Sequence, residues 1–180
     1  MAIWQFRLDL IPEKAVRSKY DVVPITLPQS LAEDFPWWSD VQPPIGFEAS
    51  IDAILPKAKA WSESMCIWGD ERGDTASVCY DNDTKSSVEW IGFRVDVRNL
   101  SPAFVKDICA FAKQLGCVLL TGAYHVLEPD ESTVLAAINN STAKNYLEDP
   151  VSTLRGLKHN AGEVIRLQEK QKDTSSPKDE

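Results

Sequence analysis

From Trp90 to Arg98 the chain alternates in character. Ile91, Phe93, Val95 and Val97 fall on one side of an extended backbone, and Trp90, Gly92, Arg94, Asp96 and Arg98 on the other. Only a β-strand has a side-chain period of two. One apolar and one charged face call for a sheet that packs a core on one side and is wet on the other, as antiparallel sheets do. Two shorter runs, Met65 to Trp68 and Thr75 to Tyr80, precede this strand across Gly/Asp-rich and Asn/Asp-rich turns, so an antiparallel meander is expected. Near the N-terminus Trp4, Phe6, Leu8 and Leu10 alternate with Gln5, Arg7 and Asp9, which predicts another strand with one buried and one wet face.

Helical signals are placed around these strands. Ser101 is an N-cap with Pro102 in the first turn; Phe104, Ile108, Phe111 and Leu115 form one stripe, and Gly116 ends the helix. Cys117 to Thr121 is nearly all apolar and follows at once, an inner strand reached by a crossover expected to be right-handed. Phe47, Ile51, Ile54 and Leu55 predict a helix that Pro56 stops. Asp130, Ser141 and Asp149 read as caps of three short helices, the last starting at Pro150 with Leu154 and Leu157 on one side. Between Ile11 and Gly46 six prolines interrupt regular hydrogen bonding, so irregular, extended chain is expected there, with a short helix near Ser30 to Asp34. The fold class is therefore α+β: a mainly antiparallel sheet with helices packed on one face and one βαβ-like crossover. Residues 1–157 are read as a single compact domain. Residues 158–180 are read as a polar tail, at least partly disordered apart from a brief helix around Val164, Ile165 and Leu167.

With 180 residues, 43% of them hydrophobic, the chain can bury one substantial core. Its formal net charge of -8 repels phosphate backbones, so nucleic acid is not an expected direct partner. A basic protein would be attracted, although charge of this kind also serves solubility alone. The first ten residues lack the basic-then-apolar layout of a secretory signal, and no apolar run reaches the roughly 18 residues that span a bilayer. A cytoplasmic, membrane-free location is the expectation. Cys66, Cys79, Cys109 and Cys117 show no C-x-x-C spacing and are read as buried free thiols.

No motif carries chemistry strongly. Trp68-Gly69-Asp70-Glu71-Arg72-Gly73-Asp74 gathers three carboxylates that hard cations favour, but a solvated hairpin turn explains it better. Asp81-Asn82-Asp83 opens like a calcium loop, then places Ser86 where glycine and Gly92 where glutamate are required. Pro129-Asp130-Glu131 lacks the Glu-x-Lys that a nuclease strand would supply, and capping accounts for Asp130. His125 and His159 have no metal-ligand or nucleophile partner at a recognisable spacing. No catalytic residue, metal site or cofactor is assigned.

Surface character is more informative. Interfaces concentrate binding energy in Trp, Tyr and Arg. The candidate contact set is Trp68, Asp70, Glu71 and Asp74 from the loop, with Trp90, Arg94, Asp96 and Arg98 from the wet strand face; cross-strand ion pairing beneath a packed loop is the competing explanation. Phe35-Pro36-Trp37-Trp38 is read as an anchor that staples the proline-rich segment to the core.

The Trp37-Trp38 pair, the Trp68-Gly69 turn, the Arg94-x-Asp96-x-Arg98 strand and the Asp149-Pro150 helix start, in that order over Met1 to Leu157, resemble the layout of bacterial immunity proteins of polymorphic toxin systems. That resemblance implies a protein that binds a cognate toxin, such as a basic nuclease domain, and occludes its active site or substrate groove. Two alternatives stand beside it: a metal-dependent hydrolase using Asp70, Asp74 and Asp96 with Arg94 or Arg98, and a structural adaptor.

Overall fold

The computed structural model describes residues 2–156; Leu157, His159 and the polar tail lie outside them. In chain order the elements are β1 (Gln5–Pro12), α1 (Glu13–Lys19), α2 (Gln29–Asp34), α3 (Glu48–Asp52), β2 (Lys57–Ala58), β3 (Met65–Gly69), β4 (Thr75–Tyr80) and β5 (Val88–Asp96). A 3-10 turn (Val97–Asn99) leads to α4 (Pro102–Gln114), β6 (Cys117–Thr121), β7 (Val126–Leu127), α5 (Glu131–Asn139) and α6 (Thr142–Glu148). Residues 150–156 are also helical.

The seven strands form one sheet in the order β2-β3-β4-β5-β1-β6-β7, every neighbouring pair antiparallel. β5 and β6 thus run parallel on either side of β1, and α4 carries the chain between them. The crossover is a split βαβ unit, with β1 in the gap.

Register fixes two faces. Leu8 opposes Phe93, Leu10 opposes Ile91 and Ala76 opposes Phe93, which gathers these side chains on one side. α4 lies there: Phe104 and Phe111 meet the Phe93 ring edge-on at 6.2 and 5.9 Å. Phe47, just ahead of α3, stacks on Phe111 at 6.5 Å, and α5 packs on α4. The buried side chains form one contiguous cluster. Each expected cap is made: Ser101, Asp130, Ser141 and Asp149 accept from the backbone N–H groups of Phe104, Thr133, Lys144 and Ser152.

The opposite face departs from the half-wet expectation. On β1, Gln5, Asp9 and Ile11 are as buried as Phe6, Leu8 and Leu10. The cover is the proline-rich segment. Trp38 is buried and its indole N–H donates to the Leu10 carbonyl at 3.1 Å; buried Trp37 donates to the Leu31 carbonyl at 3.1 Å. Satisfied N–H groups let both rings enter the interior without an unpaired donor. The same segment also extends the sheet, since Val126 N–H donates to Ile25 O at 2.8 Å and Leu27 N–H to Tyr124 O at 2.9 Å. Within it, residues 13–19 form a helix where irregular chain was expected. A Glu13–Arg17 ion pair and two buried residues, Ala15 and Val16, support that helix, which is too short to show a repeating stripe.

The thiols are free. Cys66, Cys109 and Cys117 are buried and Cys79 is half-buried. Burial pushes Cys109 up to about 11 and Cys117 up to about 12, which leaves both protonated and unreactive near neutrality.

Candidate functional site

Open sheet surface remains on the β3–β4–β5 side, flanked by the loop between β3 and β4. Within that loop Asp70 N–H donates to Asp74 O at 3.1 Å, Gly73 N–H to Asp70 O at 2.9 Å, and Arg72 N–H to Asp70 Oδ1 at 2.8 Å. Three successive carbonyls are then gripped from outside. Gln5, only 4% exposed, donates through Nε2 to Glu71 O and Gly73 O, both at 3.0 Å, and the Arg98 guanidinium donates to Arg72 O. Asp74 Oδ1 accepts the Asp96 N–H at 2.7 Å. Hairpin tips usually fray; this one is tied to β1 and to the end of β5. Asp70, Glu71 and Arg72 stay exposed on top of it.

Behind the loop, Asp96 is 4% exposed and accepts from Arg98 Nε and Nη2, both at 2.9 Å, from Arg98 N–H at 3.1 Å and from Asn99 at 3.3 Å. Arg98 lies 4.6 Å from the Trp4 ring centroid, a cation on an aromatic face. The Arg98 hydrogen bonds hold the Asp96 carboxyl below the usual carboxylate range, whereas burial and the nearby Asp96 charge raise that of Asp74. A lowered folded-state value stabilises the fold above the unfolded-state value, about 3.9, and is lost as pH falls through the folded value; Asp74 acts with the opposite sign. Wild-type protein is therefore expected to lose its stability advantage over Asp96→Asn progressively as pH falls below about 4, measured as the urea midpoint at several pH values. A difference that does not change with pH would mean that charge pairing to Arg98 contributes nothing.

A second cluster lies further along the same face. The Trp90 ring is laid over Gly92, so closely that a Cβ there would come within 2.1 Å of its Cζ2. The Arg7 guanidinium is 5.7 Å from the Trp90 centroid and grips Asp9 through Nε at 2.8 Å and Nη2 at 2.6 Å. Asp9 is 5% exposed; burial raises its carboxyl, against the pull of Arg7. The Trp90 N–H lies near enough to Asp9 to favour its ionised form, yet it makes no well-formed hydrogen bond and is shut off from solvent. Arg94 stands opposite Arg7 in the register, and the Asp9 charge offsets that like-charge pairing. Between this floor and residues 32–42 opens a cavity of about 490 Å³.

The eight expected contact residues thus divide three ways. Asp70, Glu71, Asp74, Asp96 and Arg98 belong to the tied loop, and Trp90 and Arg94 to the second cluster. Trp68 stands apart. It is 0% exposed, on the face that carries α3 and α4, and its indole N–H donates to Asp52 Oδ1 at 2.6 Å. A buried ring offers a partner nothing, so Trp68 is a core residue. Arg7, Asp9 and the cavity rim were not anticipated; the one signal was an Arg-x-Asp step on an otherwise alternating strand. Trp61, 82% exposed beside edge strand β2, is a further surface aromatic.

Among the described residues no group of three or more His, Cys, Asp or Glu side chains is placed to hold a metal ion. No helix among them is long and apolar enough to cross a membrane. No protein-family model, curated protein or solved structure matches this chain.

Proposed function

We propose that the protein is a binding module that neutralises a basic partner, an immunity protein that covers the active site or substrate groove of a cognate bacterial toxin. The observation that carries this reading is the loop from Asp70 to Asp74. Side chains of β1 and of the 3-10 turn after β5 hold its backbone, and the Asp96 N–H holds the Asp74 side chain, while Asp70 and Glu71 project into solvent. Ordering a mobile loop on binding costs free energy; a loop ordered beforehand avoids that loss and presents its charges in one arrangement. The overall charge of -8 adds long-range attraction for a cationic surface, which raises association rates. A hydrolase built on Asp70, Asp74 and Asp96 has less support, because Asp74 is taken up by a backbone N–H and Asp96 by Arg98.

The test is calorimetric titration of the protein against the purified product of any adjacent toxin-like gene, over a range of salt concentrations. Binding should weaken as salt rises. Reversing two charges, Asp70→Lys with Glu71→Lys, is expected to weaken association by roughly tenfold or more at low salt, with the gap narrowing at high salt. Unchanged affinity would remove the loop from the interface, and absence of binding at every salt concentration would remove the proposed pair.

A further inference from the structure

We propose that the cavity between the Trp90–Arg7–Asp9 floor and residues 32–42 is a socket for an arginine side chain of a basic protein partner. This rests on the protein-binding reading and adds a second, separate point of contact to it.

The walls define the guest. Five carboxylates line the cavity, from Asp9, Glu33, Asp34, Asp81 and Glu89, against a single cation, Arg7. Arg7 is already bound to Asp9, and among the described residues none of the other four acidic side chains forms an ion pair. Carboxylates are most numerous here: a larger cavity of about 610 Å³, where β1 meets the Gly122–Leu127 segment and α6, has none in its walls, and two shallower ones have two each, Glu148 with Asp149 and Glu63 with Asp83. An anionic guest is excluded on charge. The two half-buried aromatic rings of the socket, Phe35 and Trp90, supply π faces of the kind that attract cations. Each already has a cation of this chain beside it, Lys19 at 4.0 Å from the Phe35 centroid and Arg7 at 5.7 Å from that of Trp90.

A bare metal ion suits the site poorly. Glu33 accepts from Tyr124 and Gln29, and Asp81 from Ser86 and the Ser87 N–H, so these acids act through their field and not as free ligands. Guanidinium fits better than ammonium. It is planar, stacks on indole, and spreads its donors over carboxylates that surround it without converging on one point. The volume lies within the range of ordinary binding pockets, roughly 300–1,000 Å³, and leaves room for the guest's neighbouring backbone.

The experiment is a ¹H–¹⁵N NMR titration of the full chain with N-acetyl-arginine methylamide, and with the uncharged citrulline analogue as control. Shifts should concentrate on the Trp90 indole N–H and on the backbone of Gln42, Ser87 and Glu89, with a dissociation constant on the order of a millimolar, and the citrulline compound should leave them unmoved. Asp34→Asn with Glu89→Gln, both surface positions, should weaken the arginine compound by roughly tenfold while the remaining resonances stay in place. Equal response to both compounds, or shifts confined to residues 70–74, would overturn the socket. The two readings can fail separately. Arginine binding in the cavity without any toxin partner would keep the socket and sink the immunity reading, whereas toxin binding that survives Asp34→Asn with Glu89→Gln unweakened would sink the socket alone.

Discussion

Trp68→Ala should cost about 3–5 kcal/mol, a large share of the 5–15 kcal/mol by which domains are typically stable. The ring is entirely enclosed, and removing it deletes both its packing and the 2.6 Å hydrogen bond to Asp52. Trp68→Phe keeps most of the apolar volume but loses the donor, so about 1–3 kcal/mol is expected for it. Guanidinium unfolding monitored by circular dichroism would measure both, with the slope of the transition checking that each variant remains two-state. A loss below about 1 kcal/mol for the alanine variant would be the behaviour of a surface residue and would return Trp68 to the contact set.

The misplacement of Trp68 in the sequence has a clear physical origin. Met65, Cys66, Ile67 and Trp68 are all apolar, so the run carries no alternation from which to tell its faces. Trp68 is next to Gly69 in the chain, so in sequence it reads as part of the loop that follows. Successive strand residues point to opposite sides, however. Register puts Trp68 beside Ala76 on the core face, whereas Gly69 lies opposite Thr75, which pairs with Arg94. β5 raised no such difficulty, because its two faces differ in chemistry. Local signals of the same strength located α4 and its cap, and the caps at Asp130, Ser141 and Asp149.

What the sequence could not supply was destination. Two tryptophans in a proline-rich stretch signal anchoring, and both are buried, but nothing local says that they close over β1 from the side opposite α4. That closure covers the face of β1 that was expected to be wet and buries Asp9 with Arg7 for company. The cavity arises from the same event. Its walls come from β1, residues 32–42 and residues 81–90, segments that meet only when the sheet is assembled. The two-residue strands β2 and β7 were unreadable for a related reason: two residues cannot display a period, and only pairing to β3 and β6 makes them strands.

Gly69→Ala tests the tied loop most directly. Gly69 has φ +83°, a conformation that costs other residues roughly 1–2 kcal/mol, and a Cβ there would meet the Asp74 carbonyl oxygen at 2.1 Å. That oxygen is main chain and accepts the Asp70 N–H that closes the loop, so it cannot swing aside as a side chain would. Relief requires the loop to open, and opening strains the grips from Gln5, Arg98 and Asp96. A total loss of about 2–4 kcal/mol is expected. Gly73→Ala is the matched control. Its Cβ would meet nothing nearer than Asp70 Cβ at 3.7 Å, an ordinary contact, and its effect should stay within about 0.5 kcal/mol. The pair separates loop order from loop charge, since neither variant alters an acidic residue. If order matters as proposed, Gly69→Ala protein that is still folded should bind the partner more weakly than Gly73→Ala at the same salt concentration. Equal affinities would mean that the acids of the loop act through their charge alone, and that the grip on its carbonyls serves stability and not recognition.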